Sequence, residues 1–274
     1  MRVGLSLLTL VPGEVGGAET SARGLARGLA EVGTLDYVAF TPPAAPGAGE
    51  GLPETPVPEY RDARSIRERL VAMTLATLRP GKLRERLAGL DLVHYPLTVA
   101  LPPLNVPTVV TVHDLQHLDH PELFSRAERL WRARTHERSA RAADVVIVPS
   151  QFVRRRAIEL LGLPPEHVHA IPWGVDHERF RPGSEEREPF LLYPARPWPH
   201  KNHARLFEAF ALLRAFGVSE QWMLKKTPLT PMRMTTVPEA EMRRLLGREG
   251  ATVLHTEPID EGPIRALRYY VSPA

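Results

Sequence analysis

Two cations share one turn: Arg196 and Lys201 both lie in Phe190-Leu-Leu-Tyr-Pro-Ala-Arg-Pro-Trp-Pro-His-Lys-Asn-His203. A short apolar run opens this stretch and reads as a buried strand. A helix is predicted from near Ala204, with Leu206, Phe207 and Phe210 on one face. Cations at the carboxyl end of such a strand suit an anionic ligand, because open α/β sheets bind ligands at that edge. The lysine stands out: the chain has only four (Lys82, Lys201, Lys225, Lys226) among 35 basic residues, and Asn202 is one of only two asparagines. An adjacent lysine and asparagine point to a place where a compact ammonium is wanted. A solvated helix N-terminus with incidental charge explains the same residues equally well.

A second candidate is the loop holding Gly13, Gly16 and Gly17, between a predicted strand at Val3–Thr9 and a helix from near Ala18. Glycines at such a turn let backbone amides approach a ligand and aim the positive helix end at it. The spacing lacks the G-x-G-x-x-G order of a dinucleotide site, and a purely structural turn is the alternative. A third is His113, His117 and His120, three of eleven histidines. Two histidines four apart bind metal when both sit on one helical face. Here His113 ends a predicted strand and Pro121 follows closely, so surface or hydrogen-bonding histidines are expected instead. No G-x-S-x-G elbow is present for a serine nucleophile, and Ser150 reads as a helix N-cap.

The elements that would carry these residues alternate. Strands are predicted at Val3–Thr9, Leu35–Thr41, Leu92–Tyr95, Thr108–Val112, Asp144–Pro149 and Val168–Pro172. Helices are predicted at 61–78, 82–88, 121–142 and 151–161 besides the one near Ala18. About six alternations over residues 1–173 predict a parallel, doubly wound α/β sheet. The loop from Pro42 to Pro58 is so rich in Pro, Gly and Ala that no packed element is expected there. The domain reading is 1–175 for the first domain, 176–189 for a polar linker and 190–274 for a second, partial domain. Within the latter, 216–238 is atypical: four of six methionines cluster at 223, 232, 234 and 242, and no period runs through it. Beyond it a helix is expected at Glu239–Arg248, a strand at Thr252–His255, part of a helix at Ile264–Arg268 and a last strand at Tyr269–Val271.

Composition excludes several function classes. With 35 basic and 32 acidic residues the net charge of +3 is too small and dispersed for nucleic-acid binding, and no aromatic and basic stripe occurs. The absence of cysteine rules out disulfides and thiolate metal sites. The N-terminus lacks the form of a signal peptide, and no apolar run approaches the length of a membrane span. A cytoplasmic protein is expected. Basic residues on the first domain favour an anionic membrane surface, but no long amphipathic basic helix strengthens that peripheral contact.

Five segments, in order, carry a resemblance: Gly16-Gly17-Ala-Glu19; Thr108-Val-Val-Thr-Val-His-Asp-Leu115 with His-Pro-Glu at 120–122; Ala143-Asp-Val-Val-Ile-Val-Pro-Ser150; Ile171-Pro-Trp-Gly-Val-Asp176; and Tyr193-x-x-Arg196-x4-Lys201-Asn202. Over residues 1 to about 212 the chain resembles family 4 of the retaining glycosyltransferases, many of them bacterial mannosyl- or glucosyltransferases of cell-surface polysaccharides and lipids. The resemblance implies a GT-B architecture of two Rossmann-like domains, the first holding a glycan or lipid-linked acceptor and the second the nucleotide sugar. It implies that Arg196 and Lys201 bind the donor diphosphate, with no metal and no other cofactor. It places Gly16 and Gly17 near the donor phosphates and gives His113 a catalytic position beside the transferred sugar.

The departures from the family also matter. Complete members carry a glycine-rich loop and an E-x7-E pair that holds donor sugar and ribose. Here Val253–Pro273 resembles the segment just before that loop, so the chain is expected to be truncated within the second domain and impaired in turnover. Glu241 and Glu249 have E-x7-E spacing but lie on an arginine-rich stretch without the glycine context, and that spacing is ascribed to chance. The alternative reading is a non-catalytic sugar-nucleotide or glycan-binding protein, or a subunit completed by a partner. Sugar, nucleotide, acceptor and oligomeric state are not set by these residues.

Overall fold

The computed structural model describes residues 1–175, 177, 180, 190–192, 201–215, 223–226, 252–261 and 264–272. The chain forms two compact units, Met1–Phe180 and Arg181–Ala274.

In the first unit seven parallel strands form one sheet: β1 (Arg2–Ser6), β2 (Asp36–Thr41), β3 (Glu54–Pro56), β4 (Leu92–Tyr95), β5 (Thr108–Thr111), β6 (Val145–Val148) and β7 (Val168–Ala170), in the order β3-β2-β1-β4-β5-β6-β7. The connecting helices are α1 (Gly17–Val32), α2 (Ile66–Leu78), α3 (Gly81–Arg86), α4 (Gln116–Asp119), α5 (Arg126–Arg132), α6 (Arg138–Ala142) and α7 (Gln151–Leu161). The predicted alternation is thus realised as a doubly wound α/β sheet, and Ser150 caps α7 as expected, its Oγ accepting from the Val153 amide at 3.2 Å.

Both faces of the sheet are covered, which is why the strands are almost wholly apolar. Along β2, Val38 and Phe40 enter one core cluster, with Tyr60, Met73 and Val93, while Ala39 enters the other, with Leu5, Ala22 and Ala26 beneath α1. Gly4 makes room for Leu90 at the sheet centre: a Cβ there would stand 2.4 Å from Leu90 Cδ1, and that side chain would have to shift. Each fully buried leucine or valine of this kind stabilises the fold by roughly 1.5–3 kcal/mol.

The 42–58 loop departs from expectation. It contains β3, which pairs with β2 from Ala39↔Glu54 to Thr41↔Pro56, and buries Ala45, Ala48, Leu52 and Val57. The same composition that suggested a loose segment makes a tight one. Positive φ at Gly47, Glu50 and Gly51 folds it sharply, and the Glu54 carboxylate accepts from the amides of Gly47 (3.1 Å) and Gly49 (2.6 Å). The predicted 121–142 helix is likewise interrupted, running as a 3-10 turn (Pro121–Leu123), α5, a π turn (Ala133–Glu137) and α6.

In the second unit β8 (Phe190–Leu192), α8 (His203–Ala215) and β9 (Met223–Lys226) make one parallel βαβ unit, so a strand does lie inside the atypical 216–238 segment. β10 (Thr252–Glu261) and β11 (Ile264–Ser272) form an antiparallel hairpin that joins β9, giving the order β10-β11-β9-β8. The helix expected at Ile264–Arg268 is therefore strand. Its register sets Arg265 opposite Asp260 and Arg268 opposite Glu257. The predicted helix at Glu239–Arg248 and most of the 176–189 linker lie outside the described residues. No described helix is long and apolar enough to cross a membrane.

Candidate functional site

The strand order of the first sheet reverses between β1 and β4, and in such folds ligands bind at the carboxyl ends of the strands flanking that point. Two of the singled-out features meet there. The Gly16-Gly17 turn follows β1, and His113 follows β5. One strand, β4, separates them, so their strand ends stand about 10 Å apart.

At the glycine turn, Gly16 is the N-cap of α1 with φ 60 and ψ −132, and no side chain caps the helix. Amides of the first turn of a helix have no intrahelical partner and carry the positive end of its dipole. A Cβ on Gly17 would meet nothing within 4 Å, so the ground over this helix end is open. A chain of charges holds the turn: Glu19 Oε2 accepts from the Gly13 amide (2.8 Å) and Oε1 from Arg23 (3.0 Å). Glu50 accepts from Arg23 (3.1 Å) and Arg27 (2.7 Å). Burial opposes the Glu50 charge, but the hydrogen bonds from Arg27 and Arg23 outweigh it and hold its pKa below the ordinary value.

His113 is fixed from one side only. Its Nε2 lies 2.8 Å from the Pro96 carbonyl, which can only accept, so Nε2 carries the proton and Nδ1 is the acceptor of a neutral ring. Nδ1 is buried and has no partner among the described residues. Burial lowers the His113 pKa against the opposing pull of the Pro96 carbonyl and Asp114. Trp173 sets its ring edge-on to His113, with centroids 5.4 Å apart at 66°. A neutral imidazole presenting a lone pair to a ligand hydroxyl can orient that hydroxyl and stabilise positive charge on an adjacent carbon.

Behind His113 stands a group of residues that sequence reasoning did not single out. His94 on β4 bonds Thr111 Oγ1 through Nε2 at 2.8 Å, and Thr98 Oγ1 donates to the Thr111 carbonyl at 2.9 Å. Burial first, then the neighbouring His113, pushes the His94 pKa down to about 4. Thr98, in the loop after β4, has φ 71, an outlier for a β-branched residue. Backbone strain of that sort gathers at functional sites. Nothing in the local sequence signals it.

Of the other histidines, His117 is 2 % exposed and bonds Glu137 Oε1 through Nε2 at 3.3 Å, so the hydrogen-bonding expectation holds for it. His120 is exposed beside Glu122. His113 lies outside α4, so the helical metal geometry does not form. Among the described residues no three His, Asp or Glu side chains converge as metal ligands would. In the second unit Lys201 and Asn202 immediately precede α8. Asn202 adopts φ 53, a left-handed conformation that asparagine tolerates, and its carbonyl accepts from the Leu206 amide at 3.3 Å. Arg196, Glu241 and Glu249 lie outside the described residues.

No protein of curated function matches the chain by sequence. Among solved structures, HepE of Anabaena in complex with UDP and glucose is similar at a TM-score of 0.53 and 18% identity, with 82% of this chain and 60% of that chain covered. The same protein in complex with UDP-glucose gives a TM-score of 0.53 and 18% identity over 82% of this chain and 59% of that one. The chain thus spans about 60% of the length of these structures, and the likeness shows an α/β fold matching GT-B glycosyltransferases. The sequence pattern of Glycosyltransferase Family 4 matches residues 15–179, which include the Gly16-Gly17 turn, His113 and Trp173. By that match, over more than half of its length, the chain belongs to glycosyltransferase family 4.

Proposed function

We propose that the protein takes part in transfer of a hexose, of the mannosyl or glucosyl type, from a nucleotide-diphosphate sugar to a hydroxyl acceptor, with retention of configuration at the anomeric carbon. The observation that carries this reading is His113: held through Nε2 by Pro96, with Nδ1 unpartnered, at the switch-point edge of a glycosyltransferase family 4 domain. The binding of UDP and glucose by HepE, a protein of the same fold, supports a nucleotide sugar as donor.

In this account His113 meets a hydroxyl of the transferred sugar, and the Gly16-Gly17 turn presents its helix end to the donor phosphates. Arg196 and Lys201 hold the diphosphate as it leaves. Two cations near a leaving diphosphate each contribute up to about 4 kcal/mol at ~4 Å and an effective dielectric of ~20. Because that charge grows as the glycosidic bond breaks, the stabilisation acts on the transition state. The cations neutralise the diphosphate, and the proposal includes no metal and no further cofactor. The acceptor is a glycan or lipid-linked sugar, in polysaccharide or glycolipid synthesis. The setting is the cytoplasm, with peripheral contact to an anionic membrane.

The 274 residues hold no E-x7-E pair in a glycine-rich setting, so turnover by this chain is proposed to be weak. The same observation favours, as a second reading, a sugar-nucleotide-binding subunit without activity of its own. Calorimetric titration with UDP and GDP tests the donor site. One nucleotide is expected to bind the wild type and to lose at least tenfold in affinity in Arg196→Ala and Lys201→Ala. Unchanged affinity in both variants removes the diphosphate clamp. Ordinary turnover with UDP- or GDP-sugars overturns the proposed impairment and the second reading together.

A further inference from the structure

The carboxyl edge of the first sheet holds a second group of side chains. Arg129, Arg132 and His136 follow one another at roughly one helical turn along α5 and the π turn behind it. A capping box at Ser125 and Glu128 fixes the start of α5. The π turn, a feature frequent at functional sites, brings both His136 and the adjacent Glu137 inward. From the other side comes Arg69 of α2, whose Nε donates to the Thr9 carbonyl at 2.7 Å, with Tyr60 just ahead of that helix.

These groups feel one another's charge. Burial lowers the Arg69 pKa, Tyr60 opposes that and Arg132 adds to it. Burial lowers the His136 pKa well below its usual value, with further contributions from Arg132, Arg69, His117 and His113. Burial pushes the Tyr60 phenol up to about 12 against the pull of Arg69.

Among the described residues no carboxylate pairs with Arg69, Arg129 or Arg132. The acid facing them is Glu137, and it is already engaged: Oε1 with His117 at 3.3 Å and Oε2 with Arg141 at 3.1 Å. Asp114 is exposed and accepts from the Gln116 amide. Arg132 instead lies over the Phe124 ring at 4.8 Å. Three polar atoms are buried with no partner among the described residues: Tyr60 Oη, Arg129 Nε and His136 Nε2. Native proteins rarely leave such atoms unsatisfied, and desolvated cations crowded together are costly unless an anion joins them.

We propose that Tyr60, Arg69, Arg129, Arg132 and His136 form a binding site for a phosphate group carried by the acceptor. The inference rests on the transferase reading for the acceptor, and on the buried, unpartnered donor atoms for the phosphate. Donors supplied by the Tyr60 turn, by α2 and by α5 with its π turn suit a tetrahedral oxyanion better than a planar carboxylate, and guanidinium groups bind phosphate through charge-assisted pairs of hydrogen bonds. His136 sets its ring edge-on to His117, with centroids 6.4 Å apart, and His117 lies four residues after His113, which puts this site beside the proposed catalytic edge. A phosphate held there directs the rest of the acceptor, with its hydroxyl, toward His113.

The test is calorimetric titration with inorganic phosphate, with and without excess UDP. With UDP in excess, so that the Arg196 and Lys201 clamp is filled, one phosphate per chain is expected, with affinity reduced at least tenfold in Arg69→Met and Arg129→Met and several-fold in Tyr60→Phe. Glucose 1-phosphate should bind at least as well as phosphate, and glucuronate at least tenfold more weakly. An unchanged unfolding midpoint in Tyr60→Phe, which removes one oxygen, shows that lost binding is not lost folding. Absence of phosphate binding, equal affinity in Arg69→Met and Tyr60→Phe, or displacement of phosphate by UDP overturns the site. Phosphate binding with the expected variant pattern but no UDP binding upholds the site and removes the donor reading instead.

Discussion

The carboxyl edge of the first sheet has two halves with opposite electrostatic character. Around α1, Glu19, Arg23, Glu50 and Arg27 form a chain of ion pairs at 2.7–3.1 Å that holds the Gly13 amide. Around β4, β5 and α5, among the described residues, Arg69, Arg129 and Arg132 have no carboxylate, and buried atoms of Tyr60, His113, Arg129 and His136 have no partner. The same residue types thus do different work. Where arginine meets glutamate, the chain is holding itself in shape. Where arginine meets arginine, histidine and tyrosine under partial burial, the fold leaves its polar groups to a ligand, at some cost in stability.

The strongest way to break this contrast is at His113. His113→Ala is expected to lower the rate of sugar transfer relative to wild type by roughly 10²–10³-fold, the scale of losing one group aimed at developing charge, in a steady-state assay with the cognate donor. A rate within threefold of wild type would remove the unsatisfied half from the chemistry.

Next is acid. His94, His113, His117 and His136 all have depressed pKa values, each led by burial. Their ordinary, unfolded value is about 6.5. The unfolded chain therefore binds more protons below that pH, and the stability these neutral histidines confer is present above pH ~6.5 and lost as the pH falls toward their folded values. For His94, lowered to about 4, the loss between pH ~6.5 and ~4 is about 3 kcal/mol. Urea unfolding across that range measures it, and His94→Gln should flatten the dependence.

Smaller effects sharpen the contrast. Gly16→Ala, at φ 60 and ψ −132, is expected to destabilise by about 1–3 kcal/mol. Glu50→Gln should cost roughly 1 kcal/mol, being partly solvated, and leave phosphate affinity untouched, which would show the paired half to be structural. Tyr60→Phe should change stability by less than about 0.5 kcal/mol or raise it, because the hydroxyl it removes has no partner.

Much of the frame was legible in the sequence because it rests on local patterns. Apolar runs such as Val145–Val148 followed by a capping serine announce a strand and the helix after it. The elements that were misread depend on contacts distant in sequence. β3 forms because β2 pairs with it and Glu54 gathers the glycine amides, and Ile264–Arg268 is strand because β10 and β9 lie beside it. The site divides in the same way. His113 and the Gly16-Gly17 turn sit where strands end, a place periodicity can locate. Tyr60, Arg69, Arg129, Arg132 and His136 are brought together only by the fold, from three separate turns of chain. In a sequence so rich in arginine, no single one of them stands out. Thr98 carries its signal in a backbone angle alone.

The account turns on whether the open nitrogen of His113 receives a ligand. Histidine-resolved ¹⁵N NMR at pH 7, recorded as UDP-glucose is added, reads this directly. The expected result is a neutral ring protonated at Nε2 in the free protein, with the Nδ1 resonance moving upfield as a bound hydroxyl donates to it. An Nδ1 resonance that stays in place while the nucleotide sugar saturates the protein would contradict it.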